Sequence, residues 1–194
     1  MRTGKLLVEL AEESYRLILY PINYWKAKKN NEEDVKGVFV RFFLPGMILI
    51  FLAIVLGDIL FESRYGLLLQ DTLIKAARRV LILVMSFFAS TMLLYEISRI
   101  HRIPVDFDSA RRLTIYSMMP QVLITIVTGL FPFLDVLGVL GLYSYYLLYC
   151  ALFSLYGISL RRNVSYLIIL VFSSFLAYLL IVFLINKLTA LIIY

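Results

Sequence analysis

Five long apolar runs between Val38 and Ile185 constrain this chain more than any single residue does. A helix of ~20 apolar residues crosses a ~30 Å hydrocarbon core. The runs read as five such spans, at about Val38–Leu60, Val80–Ile97, Ile115–Leu134, Val136–Leu160 and Tyr166–Ile185. None alternates apolar and polar residues as a strand would, and lipid leaves backbone groups no partner outside a helix or a closed barrel. The expected fold is all-α, a polytopic membrane helical bundle. Composition agrees: 62% of the residues are hydrophobic, against ~45–50% in soluble domains. Charged residues make up 16% and fall mostly between the runs.

The third and fourth runs nearly touch. Read as one helix, residues 115–160 would extend about 69 Å at 1.5 Å per residue, more than twice the bilayer core. A turn is therefore required, and Phe131-Pro132-Phe133-Leu134-Asp135 supplies it through a missing donor and a headgroup-seeking carboxylate. Orientation follows from lysine and arginine. With the N-terminus inside, fourteen of these residues lie inside and five outside, which favours a cytosolic N-terminus. The discordant piece is Lys75–Arg79, read as an interfacial stretch before the second span turns down.

Residues 1–37 form a basic, amphipathic cytosolic segment, and 38–194 form the membrane domain. The segment lacks the apolar stretch of a cleavable signal peptide, so none is expected. Leu6, Leu7, Leu10, Tyr15, Leu17 and Ile18 alternate with Glu9, Glu12, Glu13 and Arg16, which predicts an amphipathic helix on the membrane surface or docked to a partner. Tyr20-Pro21 ends or bends it.

Several chemistries are excluded or disfavoured. One histidine, His101, cannot build a multi-histidine metal centre, and no cofactor or metal is expected. One cysteine, Cys150, cannot form an internal disulfide. His-Glu-x-x-His and Gly-x-Ser-Gly motifs are absent, and Glu12-Glu13-Ser14-Tyr15-Arg16 is one residue short of a prenyl-protein protease motif. The net charge of +6 flanks membrane spans, so nucleic acid is not an expected partner. Asp106-Phe107-Asp108 with Arg111-Arg112 could hold Mg²⁺ against a phosphate, but no second aspartate pair follows, and a capped helix start is the simpler expectation. Asp58 and Glu96 stand near span ends, where snorkelling to headgroups is expected.

Packing residues remain. Ser86-x-x-x-Ser90 and Ser173-x-x-x-Ala177 put small residues one turn apart, and Gly138 and Gly141 do the same on the fourth span. Tyr143, Tyr145, Tyr146 and Tyr149 follow within two turns. A bundle interface explains them; a polar path between the third and fourth spans is the other reading. Tyr145, Tyr149, Ser117, Gln121 and Thr125 would line that path, with a kink at Pro120 freeing the carbonyl near Tyr116.

At several of these positions the chain resembles the Yip-domain family, the Rab/Ypt-interacting five-span membrane proteins and their bacterial relatives. Arg41-Phe42-Phe43-Leu44-Pro45 with Leu56-Gly57 is similar to the family's first helix. Tyr116-Ser117-Met118-Met119-Pro120 resembles its Tyr-Ser-x-x-Pro. Leu140-Gly141-Leu142-Tyr143-Ser144-Tyr145-Tyr146-Leu147-Leu148-Tyr149 resembles its fourth-helix run, and Tyr20-Pro21 through Trp25 the lead-in of bacterial members. The resemblance covers roughly residues 15–185. It implies a cytosolic N-terminus, and the short segment before the first span looks like the bacterial form. It offers no catalytic residues. Cys150-Ala151-Leu152-Phe153 departs from the family's Gly-x-Pro-like helix end.

The expected function is that of a non-enzymatic integral membrane protein associating with other membrane proteins, with itself or with the lipid bilayer. A role in membrane organisation or trafficking would fit. The alternative is a small transport component, a channel or permease subunit for a lipid or other amphiphile. A bacterial cytoplasmic membrane is the expected location, with an endoplasmic reticulum or Golgi membrane as the alternative.

Overall fold

The computed structural model describes residues 12–28, 34–62, 69–159, 161 and 163–193. Five helices among them are long and apolar enough to cross a membrane: Val35–Phe61, Leu69–Ile100, Phe107–Leu130, Pro132–Tyr156 and Val164–Leu191. They are called the first to fifth spans. No strand occurs among the described residues. The bundle has an N-terminal face, where the first span begins, and an opposite face, where it ends.

The first, second and fifth spans outrun their apolar sequence runs at both ends, because the run marks lipid-facing length while the helix continues into its flanks; the third and fourth start earlier and end earlier than their runs. The second span shows this best. No turn separates Lys75–Arg79 from the second span; the stretch is part of one uninterrupted helix from Leu69 to Ile100. Neither proline nor glycine breaks that helix, and Thr72 and Ala76 bury one face of its first turns.

Proline shapes the others. Pro45 follows a π-helical stretch, Phe39–Phe43, where a wider turn absorbs the missing donor. The third span breaks at Met118 (φ −77°, ψ −6°), and Pro120 opens its second half, Met119–Leu130. The turn between the third and fourth spans is tighter than expected. Phe131 alone separates Leu130 from Pro132, and Asp135 already sits in the first turn of the fourth span. That span starts as a 3-10 helix, Pro132–Leu142, and continues as α-helix, Tyr143–Tyr156. It stops short of Leu160 because Gly157 takes the left-handed conformation (φ 68°), with Ile158 N–H reaching back to the Leu152 carbonyl at 3.4 Å.

A close helix approach joins the first and third spans. A Cβ on Gly57 would overlap the Gly129 carbonyl oxygen, one on Gly129 would lie 2.8 Å from Ile54 Cγ1, and one on Gly46 would lie 2.9 Å from Val122 Cγ1. Without a hydrophobic drive between helices in lipid, such small-residue contact is a main source of association. The fifth span packs on the second, pinned by a 2.8 Å hydrogen bond between the buried Ser98 and Tyr166 hydroxyls.

The N-terminal segment docks on its own bundle. Residues 12–19 are helical, a bend at Tyr20 follows, and Pro21–Lys28 forms a second helix against the fourth span. Leu17, Tyr24 and Trp25 are buried, while Tyr15, Leu19, Tyr20 and Ile22 stay exposed. The Tyr143 hydroxyl donates to the Ile18 carbonyl at 2.8 Å, and Lys28 Nζ donates to the Tyr116 hydroxyl at 2.7 Å. Leu6, Leu7, Glu9 and Leu10 lie outside the described residues.

Candidate functional site

A cavity runs from the opposite face into the middle of the bundle through three chambers that share lining residues, half polar at the mouth and mostly apolar at its inner end. The mouth, of about 390 Å³, is lined by Asp58, Lys75, Arg78, Arg79, Thr125, Thr128, Asp135, Tyr178 and Asn186, among others. The middle chamber, of about 250 Å³, shares Arg79, Thr125, Thr128, Asp135 and Tyr178 with the mouth. The inner chamber, of about 120 Å³, shares Gln121, Gly138, Gly141 and Tyr178 with the middle one.

All five spans reach the mouth, and the ends of the first, second and fourth bring its charges. Asp58 opens a π-helical stretch, Asp58–Glu62, that ends the first span. Its carboxylate does not snorkel: the side chain is 3% exposed and meets Lys75 Nζ at 2.8 Å. Burial of a carboxylate this deep requires such a partner. Arg79 and Asp135 lie 3.6 Å apart, with the Asp135 side chain 75% exposed, a looser pair.

Deeper in, hydroxyls replace charges. Thr125 and Thr114 donate to carbonyls one turn back on their own helices, as does Ser86. Ser117 and Ser144 differ. Both are buried, both line the inner chamber, and neither hydroxyl has a hydrogen-bond partner among the described residues. The fourth and fifth spans face one another across the middle and inner chambers and pack little against each other. Gly138 stands exposed in this gap, with open space where a Cβ would point.

Toward the N-terminal face, an aromatic cluster lies beyond the cavity. Tyr116 meets Tyr24, Trp25 and Phe42 with ring centroids 5.3–5.8 Å apart. Lys28 Nζ sits 4.3 Å from the Tyr116 ring centroid and 3.4 Å from a Glu13 carboxylate oxygen. The N-terminal helices are thereby fastened over the third span.

Of the residues singled out in the sequence, the cavity gathers Ser117, Gln121, Thr125, Gly138, Gly141 and Tyr145. Tyr116 belongs to the aromatic cluster instead. Pro120 is buried at the helix break, Tyr143 holds the N-terminal helix, and Tyr149 stacks on Phe153. The mouth residues Asp58, Lys75, Arg78 and Arg79 were not anticipated as a site. Their signal was the positive cluster on the side otherwise poor in lysine and arginine.

The acidic and basic residues at the start of the third span close on one another. Asp106 caps the helix by accepting from the Ser109 N–H at 3.2 Å. Burial raises its pKa, but hydrogen bonds from Ser109 and the nearby Arg112 charge outweigh this and hold it below the ordinary carboxylate value. Arg111 pairs with Asp108 at 3.4 Å and lies over the Phe107 ring.

The family model of the Yip1 domain matches residues 15–185. The chain belongs to the Yip1 domain family. The match takes in the spans from the first to most of the last, together with most of the docked N-terminal helices, so the cavity, apart from Asn186 at its mouth, lies within the Yip1 domain. No curated protein and no solved structure matches this Yip1-domain chain. It is an integral membrane protein by family and by its spans.

Proposed function

We propose that this Yip1-domain protein is a non-enzymatic membrane protein that takes an amphiphile into the cavity between its spans, as a carrier or transport component. The observation that supports this reading most is the unpartnered pair Ser117 and Ser144 in the inner chamber. A buried hydroxyl without a partner costs about 1–3 kcal/mol, and alanine would remove that cost. Both residues line a chamber of about 120 Å³, and a polar occupant entering from the mouth, water or a ligand group, would satisfy the two closed-off hydroxyls once a side-chain rotation turns them toward it.

The gap at Gly138 supports an amphiphile over a fully soluble ligand, because it offers a flexible chain a way out to lipid. The test is native mass spectrometry of the full chain purified in mild detergent. Wild type is expected to retain an amphiphile, and Gly138→Trp, which fills open space, is expected to lose it while melting as wild type does. No retained mass, or equal retention by the variant, would overturn the reading.

A second reading, association with membrane proteins or with a second copy, draws on the fifth span. Only 17% of an 18-residue apolar stretch of it is buried, and Phe172, Leu176, Leu179 and Phe183 are exposed. Crosslinking in native membranes that finds only monomers would sink it. We further propose a bacterial cytoplasmic membrane with the N-terminus in the cytosol, supported by the lysine and arginine asymmetry. Reporters fused to each terminus test the orientation, and an external N-terminus would reverse it.

A further inference from the structure

We propose that the amphiphile carries a phosphate group, held at the mouth by Arg78 and Arg79, with its chain leaving between the fourth and fifth spans beside Gly138. This inference rests on the amphiphile-binding reading and names the chemical class of its ligand.

Charge at the mouth carries the argument. Three cations, Lys75, Arg78 and Arg79, face two carboxylates, Asp58 and Asp135. Lys75 is committed to buried Asp58 at 2.8 Å. Arg78 has no ion pair among the described residues. Among the same residues Arg79 pairs only with Asp135, 3.6 Å away and 75% exposed, which a ligand anion can displace by swinging it outward. The site therefore holds two guanidinium groups with unused donors, on consecutive residues of one helix, both lining one chamber. A guanidinium presents a planar fork of donors that matches phosphate oxygens. A cationic headgroup would meet net repulsion there.

Size and shape decide the rest. About 390 Å³ admits a phosphate ester with its water, roughly a dozen waters at ~30 Å³ each. The inner chamber, at about 120 Å³, is too small for an acyl chain. The chain must leave sideways, and the gap at Gly138 is where fourth-span atoms are missing.

The probes are dioleoyl phosphatidic acid and dioleoylglycerol, which differ by the phosphate alone, each titrated into the full chain in maltoside micelles and read by native mass spectrometry. Phosphatidic acid is expected to be retained at least about tenfold more strongly, the scale of one or two charge-assisted hydrogen bonds. Arg78→Gln with Arg79→Gln should abolish that preference at unchanged melting temperature, and Arg78→Lys with Arg79→Lys should restore part of it. Gly138→Trp should abolish retention of both lipids.

Equal retention of both lipids, lost in Gly138→Trp, would overturn the phosphate assignment and leave the amphiphile reading standing. Retention of neither would overturn both. Inorganic phosphate that binds with both arginines present, while phosphatidic acid does not, would assign the site to free phosphate and refute an amphiphile.

Discussion

The glycine contacts between the first and third spans make a graded prediction, because four glycines differ only in what an added Cβ would meet. At Gly57 the new atom overlaps the Gly129 carbonyl oxygen and lies 2.8 Å from that of Leu130. Both are backbone atoms on another helix and cannot rotate aside, so the helices must separate. At Gly129 the nearest atom is Ile54 Cγ1 at 2.8 Å, with the Ile54 backbone N behind it at 3.3 Å, and at Gly46 it is Val122 Cγ1 at 2.9 Å; the nearest atoms are side chains that can shift. At Gly138 nothing lies within 4 Å.

Overpacking costs about 1–3 kcal/mol, more when backbone must move. Gly57→Ala is therefore expected to lose about 3 kcal/mol or more, and Gly129→Ala and Gly46→Ala about 1–2 kcal/mol each. Gly138→Ala should be neutral or gain up to about 0.5 kcal/mol from reduced unfolded-state freedom. At ~2–4 °C per kcal/mol for a chain of this size, Gly57→Ala should melt roughly 6–12 °C lower. Size-exclusion chromatography of heated, detergent-solubilised samples measures the order. Gly57→Ala melting with wild type, or Gly138→Ala losing more than Gly57→Ala, would refute the reasoning.

Lys28→Met removes the bond to Tyr116 and the pair with Glu13, which should weaken N-terminal docking by about 1–2 kcal/mol; the single tryptophan, Trp25, should shift its emission to the red while the spans melt unchanged. Unaltered emission would contradict this. Asp106 has a lowered folded-state pKa, so its capping contribution is present above the ordinary carboxylate value and fades as pH falls through the folded one. Asp106→Ala should accordingly speed exchange of the Ser109 amide at neutral pH, at a cost of about 1 kcal/mol, and change little in strong acid. Ser98→Ala strands the buried Tyr166 hydroxyl and should cost about 1–3 kcal/mol, whereas Ser117→Ala, at a hydroxyl with no partner to lose, should be neutral or stabilising. The reverse order in melting would contradict the assignment of partners.

The five spans and the turn at Pro132 are legible in the sequence because apolar length and a missing donor are local properties. The cavity is legible only in part. Ser117, Gln121, Thr125 and Tyr145 stand out as polar residues inside apolar runs. Asp58 and Lys75 do not, since a charge near a span end reads equally well as a headgroup anchor. Which way it points depends on helix rotation, and rotation is set by partners such as the Gly57–Gly129 contact. That contact is equally hidden: Gly46 and Gly57 are eleven residues apart, so no i and i+4 pair marks the face. Gly138, by contrast, sits in a small-residue pattern yet faces open space.

The continuity of a polar path from the opposite face to the middle of the bundle can be measured by thiol accessibility. The native Cys150 is 1% exposed and provides a silent background. Ser117→Cys should react with a small, charged, water-soluble thiol reagent added from the opposite face, and Gly138→Trp should slow that reaction only modestly, since the mouth stays open. Thr91→Cys, buried on the second span away from the chambers, should stay as inert as Cys150. Ser117→Cys remaining equally inert would contradict a water-accessible cavity and remove the basis for a ligand there.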